Sequence, residues 1–170
     1  MGLFDKLFGN KEKTVVEVTV DDSDVVAIAD GTMFDIAEVN DELFSQRLMG
    51  DGMAFKFDQD KVTLCAPANG TLTVLFPTGH AYGVTTNEGV EVLIHCGINT
   101  VEAAGDGFKL LKKKQGNPVK AGDPIVEVDV KKLAEKYDMS TMVIVTNPNG
   151  KNIVFEAPGF YAKGTSIIKK

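Results

Sequence analysis

Tryptophan is absent from this 170-residue chain, histidine and cysteine occur only twice each, and proline six times. Two cysteines, Cys65 and Cys96, cannot build the dense disulfide framework that holds small secreted domains together. Two histidines, His80 and His95, fall short of the three ligands a catalytic zinc usually takes from protein. No uninterrupted apolar run approaches the ~20 residues that a membrane-spanning helix needs. Basic residues are in deficit as well. With 18 Lys and Arg against 24 Asp and Glu, the net charge is −6 and the pI near 4.9, which disfavours sequence-independent binding to nucleic acid. Residues 1–13 lack a long apolar stretch and a small-residue cleavage site, so no secretory signal is expected and the cytoplasm is the default location.

What is present is ordinary for a folded protein: 44% hydrophobic and 25% charged residues. At about 150 residues per domain, the length predicts a single domain with a real core. Its expected bounds are 15–170, after a flexible segment 1–14. In that segment Leu3, Phe4, Leu7 and Phe8 would share one face of a helix, an arrangement suited to a membrane surface although two turns are marginal in water. The charge is sorted along the chain. Between Asp21 and Asp60 there are 11 acids and two bases, whereas Phe108 to Lys120 carries five lysines and no acid. An acidic stretch of this kind suits a basic protein partner.

Short β-branched and alternating runs dominate the pattern: Val15 to Val20, Val25 to Ala29, Thr32 to Glu38, Met53 to Phe57, Val62 to Ala66, Thr71 to Phe76, Ala81 to Thr85 and Val90 to His95. Ile125 to Val128, Thr141 to Thr146, Ile153 to Glu156 and Ser166 to Lys169 continue the series. Turn residues such as Asp30-Gly31, Gly50-Asp51-Gly52, Asn69-Gly70 and Asn87-Glu88-Gly89 separate them. The expected class is all-β, an antiparallel β-sandwich of related hairpins with very little helix. The two helical expectations are Val130 to Tyr137, capped by Asp129, and a turn or two over Gly107 to Lys114.

The two histidines fall in one predicted hairpin. A turn centred on Asn87-Glu88 pairs Thr85 with Val90 and His80 with His95, and directly opposed residues have β-carbons about 4.5–5.5 Å apart. Alternation sends Val90, Val92, Ile94 and Cys96 to the core and Glu91, Leu93 and His95 to the other face. Cys96 therefore reads as buried filler. Two adjacent imidazoles suit phosphoryl carriage, since an imidazole with a pKa near 6.5 is largely neutral and nucleophilic at cytoplasmic pH. They also suit a zinc ion, provided a partner supplies a further ligand. Two histidines that merely share a sheet are the third reading.

Val90-Glu91-Val92-Leu93-Ile94-His95-Cys96-Gly97-Ile98-Asn99-Thr100-Val101, with Thr78-Gly79-His80-Ala81 before it, closely resembles the glucose-type enzyme IIA of the bacterial sugar phosphotransferase system. Ala66-Pro67, Gly70-Thr71, Gly105-Asp106-Gly107-Phe108, Val119-Lys120-Ala121-Gly122-Asp123 and the closing Ser166-Ile167-Ile168-Lys169-Lys170 extend the likeness over essentially the whole chain. The resemblance implies an antiparallel β-sandwich that accepts a phosphoryl group on His95 from the histidine-containing carrier HPr and passes it to a cysteine of a permease IIB domain. His80 would orient or stabilise the group, and Thr78 would supply a hydroxyl to the surrounding network. The implied docking surface includes Asp41, Phe44, Leu48, Met49, Phe76, Asn99 and Val101.

Two positions depart from the family pattern. Asn99 stands where the family usually has Asp, removing a rim charge, and Cys96 replaces a larger apolar residue. A regulatory role toward other proteins and a peripheral position at the inner membrane face are further implications. No cofactor is required by this reading. Two alternatives from other classes are a zinc-binding β-sandwich hydrolase, for which imidazoles are too few, and a lipoyl-like or biotinyl carrier, for which the Lys112 to Lys114 cluster lacks an acceptor motif.

Overall fold

A computed structural model describes residues 19–170. Two expectations, the amphipathic segment 1–14 and most of the Val15 to Val20 strand, lie outside the described residues. Among the described residues there are eleven strands: β1 (Gly31–Asp35), β2 (Asp51–Lys56), β3 (Lys61–Cys65), β4 (Gly70–Leu75), β5 (Ala81–Thr86), β6 (Glu91–Cys96), β7 (Phe108–Leu110), β8 (Pro118–Val119), β9 (Pro124–Asp129), β10 (Thr141–Asn147) and β11 (Gly159–Tyr161). Within them helix is confined to single turns. These are α1 (Glu42–Ser45), α2 (Val130–Leu133) and 3₁₀ turns at Ile36–Glu38 and Thr100–Ala103. All strand pairing is antiparallel, in an eight-stranded sheet ordered β11-β1-β2-β10-β6-β5-β4-β8 and a three-stranded sheet ordered β3-β9-β7. This is the expected β-sandwich. Among the described residues, no helix is long and apolar enough to cross a membrane.

The main core fills the space between the two sheets with inward-facing residues such as Phe55, Leu64, Leu72, Tyr82, Ile94 and Val126. A second, smaller cluster lies on the opposite face of the large sheet. There Ile36, Val39 and Phe44 cover Ala54, Ile98, Met142 and Ile144. Carboxylates shape the covering segment: Asp35 accepts a hydrogen bond from the Ala37 amide, and Asp41 accepts one from the Leu43 amide at the start of α1, both at 2.9 Å. With a cluster on each side, the middle of β10 is buried on both faces, which is why Met142-Val143-Ile144-Val145 is uninterrupted apolar sequence.

Several sequence expectations need correction. Val25 to Ala29, Ile153 to Glu156 and Ser166 to Lys169 form no strands; they make only the isolated bridges Val26 to Ser166 and Phe155 to Ile168. Thr32 to Glu38 ends as a strand at Asp35 and turns into a 3₁₀ segment. Gly107 to Lys114 contains strand β7, and α2 stops at Leu133, although Asp129 caps it as expected by accepting from the Lys132 amide.

The β5–β6 hairpin is also shifted by one residue from the expected register. Ala81, and not His80, is the partner of His95, and Thr85 pairs with Glu91. The loop holds three residues, Asn87, Glu88 and Gly89, closed by Thr86 N–H donating to the Val90 carbonyl and Gly89 N–H donating to the Thr86 carbonyl. Gly89 takes a left-handed φ of 84° that suits glycine. The register has a clear physical reason. It sets Tyr82 and Val84 opposite Ile94 and Val92 on the core face, whereas a one-residue slip would turn one strand's apolar set to the wrong side.

Candidate active site

His95 stands on β6, on the face away from the main core, as the alternation predicts: Val90, Val92, Ile94 and Cys96 are all buried in that core. His80 reaches the same place by another route. It sits in the loop between β4 and β5, where Phe76 N–H donates to the Ala81 carbonyl and Gly79 N–H donates to the Phe76 carbonyl. Freed from strand alternation, its ring turns toward His95. The two imidazole centroids are 5.3 Å apart and nearly perpendicular, at 80°. The juxtaposition expected from the sequence is therefore present, although the direct cross-strand pairing behind that expectation is not.

Aromatic side chains wall the pair. Phe76 meets His80 edge-on at 5.0 Å, and Phe44 lies tilted against His95 at the same centroid distance. Phe44, expected as a docking contact, is corrected here: it is only 4% exposed, because α1 folds it down onto the second apolar cluster. Leu48, Phe76, Asn99 and Val101 are exposed, while Asp41 and Met49 are half-buried. Leu43, on the solvent side of α1, joins the exposed apolar residues of this region and was not singled out by its sequence context. Asn99 adopts a left-handed φ of 61°, a conformation that Asn tolerates better than most residues.

The hydrogen bonds fix how the imidazoles can act. His95 Nδ1 lies 2.9 Å from the Gly97 carbonyl oxygen. A carbonyl can only accept, so Nδ1 carries the proton and Nε2 is left with a free lone pair in the neutral ring. This contact was not legible in the sequence, since it is made by backbone. Thr78 Oγ1 lies 2.7 Å from His80 Nδ1. When the hydroxyl donates, His80 carries its proton on Nε2 and becomes a donor toward the space beside His95.

Both rings are biased toward the neutral form. Burial holds the His80 imidazole below the ordinary value of 6.5. Burial does the same to His95, reinforced by the neighbouring His80 and opposed by the Gly97 carbonyl and Asp41. Each ring should therefore titrate below 6.5 when followed by NMR. In the unfolded chain the imidazoles bind protons at higher pH than in the folded one. Their contribution to stability is thus fully present above about pH 6.5 and is lost as pH falls below it, which a series of urea titrations from pH 7.5 down to 5 measures.

The cysteines offer no competing nucleophile. Burial pushes the Cys96 thiol up to about 12 and raises Cys65 as well, leaving both protonated at neutral pH. Among the described residues no three His, Cys, Asp or Glu side chains group to hold a metal ion. The pair alone therefore does not fit a zinc site, and a zinc ion there would need a ligand from a partner.

With this geometry in view, comparison with known proteins is specific. Residues 23–150 match the family model for the phosphoenolpyruvate-dependent sugar phosphotransferase system, EIIA 1. The chain is 36% identical over 169 residues to the PTS system glucose-specific EIIA component of Haemophilus influenzae, covering 99% of this chain and 97% of that protein. It is similar to the solved glucose permease IIA of Mycoplasma capricolum, with 38% identity, a TM-score of 0.79 and coverage of 85% of this chain and 93% of that one. It is also 37% identical over 159 residues to the glucose-specific EIICBA component of Staphylococcus carnosus, spanning 92% of this chain but 23% of that longer protein.

Proposed function

Because this chain belongs to the EIIA 1 family of the phosphoenolpyruvate-dependent sugar phosphotransferase system, we propose that His95 is the residue on which it carries phosphate. Membership makes the protein a phosphocarrier of sugar transport and a phosphotransferase component. The zinc hydrolase and lipoyl-type alternatives find no support among its relatives. The observation that carries the residue assignment is the commitment of His95 Nδ1 to the Gly97 carbonyl, which leaves Nε2 free beside the His80 ring.

In this reading phospho-HPr docks on the exposed apolar residues around the pair, including Leu48, Phe76 and Val101, with Asp41 at the rim toward a basic face of the carrier. The His95 Nε2 lone pair attacks phosphorus. The donor's N–P bond breaks, and its electron pair returns to the donor imidazole. His95 keeps its Nδ1 proton, so the positive charge that develops on its ring is held against the Gly97 carbonyl. His80, with Thr78 Oγ1 donating to its Nδ1, offers an Nε2 proton to the incoming phosphoryl oxygen. Onward transfer breaks the Nε2–P bond toward His95 and forms an S–P bond with a cysteine thiolate of a permease IIB domain. In the EIICBA relative a glucose permease and an EIIA share one polypeptide, which supports a sugar permease as the acceptor. Exchanges of this kind call for a cytoplasmic protein that reaches the inner face of the membrane.

The test is reconstitution with phosphoenolpyruvate, enzyme I and HPr, followed by peptide mass analysis for an acid-labile phosphate. Wild type should carry it on the peptide containing His95. His80→Gln should still accept phosphate, because the attacking Nε2 belongs to His95 and survives the change, but fail to pass it to a IIB domain, because departure of the phosphoryl group depends on the His80 imidazole held against its oxygen. Equal onward transfer by His80→Gln and wild type would remove His80 from the mechanism.

A further inference from the structure

The His95 tautomer depends on a backbone carbonyl, and that raises the question of what holds the carbonyl. Gly97 sits at a reversal of the chain, with φ of 82°, followed two residues later by Asn99, also left-handed. Its amide donates to the Ser140 carbonyl at 3.0 Å, and the Ile98 amide donates to the Asp138 carbonyl at 2.8 Å, so both bonds tether one side of the reversal to the segment before β10. On the inner side stands Thr100, 0% exposed. Its Oγ1 donates to the carbonyl of Cys96 at 2.5 Å. A β-carbon placed on Gly97 would lie 2.4 Å from Thr100 Cγ2, so the methyl of the same side chain occupies the space directly against Gly97.

From these contacts we infer that Thr100 is a positioning residue for phosphoryl transfer, fixing the Cys96–Gly97 peptide so that the Gly97 carbonyl holds the proton of His95 on Nδ1. The hydroxyl pins the carbonyl that precedes Gly97, and the methyl closes the side into which Gly97 would otherwise relax. Thr100 touches neither phosphate nor imidazole. Its influence runs through one peptide unit, as a supporting carboxylate's does when it fixes the tautomer of a catalytic histidine. The inference deepens the assignment of His95 and rests on it.

Thr100→Ala and Thr100→Ser differ by one hydroxyl, and comparing them isolates its role even where the lost methyl costs stability. Two readouts apply: the nitrogen chemical shifts of the His95 ring, which distinguish the two neutral tautomers, and the rate of phosphorylation against phospho-HPr concentration. Thr100→Ala should populate the Nε2–H tautomer and lower kcat by about 10–100-fold with KM within about twofold, the range seen for supporting partners of ligating groups. Thr100→Ser should return both toward wild type. A His95 tautomer and kcat unchanged in Thr100→Ala would overturn the inference, as would a Thr100→Ser variant no better than Thr100→Ala. The tautomer is read without any transfer, so it can fail or hold independently of whether His95 receives phosphate.

Discussion

His95→Ala should accept no phosphate at all from phospho-HPr, while wild type is labelled under the same conditions. Removal of a covalent nucleophile is among the largest single-residue effects, on the order of 10⁶ in rate for hydrolases that form an acyl intermediate. Here no substitute is placed to take over. His80 is enclosed by Phe76 and His95, and both cysteines are buried thiols held protonated. The fold should survive, since His95 is half-buried at the rim of the smaller cluster and its loss leaves the main core untouched. A melting curve alongside the labelling assay separates loss of chemistry from loss of structure. Labelling of folded His95→Ala to wild-type extent would defeat the phosphocarrier assignment of that residue.

Gly97→Ala should be the most damaging conservative change in the site. The added methyl would press against Thr100 Cγ2 at 2.4 Å and Met139 Sδ at 3.1 Å, in a backbone at φ of 82°. A left-handed conformation costs an L-residue about 1–2 kcal/mol, and overpacking a tight site typically about 1–3 kcal/mol more. A loss of about 2–5 kcal/mol is therefore expected, lowering the melting temperature by roughly 4–20 °C for a domain of this size. Urea unfolding of the variant against wild type measures it. A midpoint unchanged within error would mean that the reversal at Gly97 relaxes freely, and the geometry around His95 would then need another anchor.

The parts of this molecule legible in its sequence are those governed by short-range pattern. Val90, Val92, Ile94 and Cys96 face the core because a strand alternates, and that period alone placed His95 on the opposite face. The register of the same hairpin was less legible, because it turns on whether the connection holds two residues or three. Gly89 in a left-handed conformation settles that in favour of three. His80 still meets His95 because its loop releases it from alternation.

Other features depended on which segment covers which. Phe44, Leu48 and Met49 are alike in composition, yet only the packing of α1 decides that Phe44 goes beneath His95 while Leu48 stays outside. Val25 to Ala29 has the composition of a strand but is satisfied by single bridges and loop contacts, such as the Val26 amide donating to the Pro67 carbonyl. The Gly97 carbonyl and the Thr100 hydroxyl beneath it lie beyond pattern reading altogether, since both act on main chain brought together by a reversal.

Burial of β10 on both faces bears on how the site would meet the two partners proposed for it. Met142, Val143 and Ile144 are all fully enclosed, one apolar cluster above them and the other below, and β10 pairs with β6 on one side and β2 on the other. Opening the strand locally would require dismantling both clusters at once, so its amides should exchange with solvent only when the whole domain unfolds, as native-state hydrogen exchange would measure. Met142 is the direct partner of His95. The His95 imidazole is thus moored to a part of the protein expected to yield last, and in the proposed relay a docking carrier would meet a socket of fixed shape, with adaptation left to the carrier and to the permease domain.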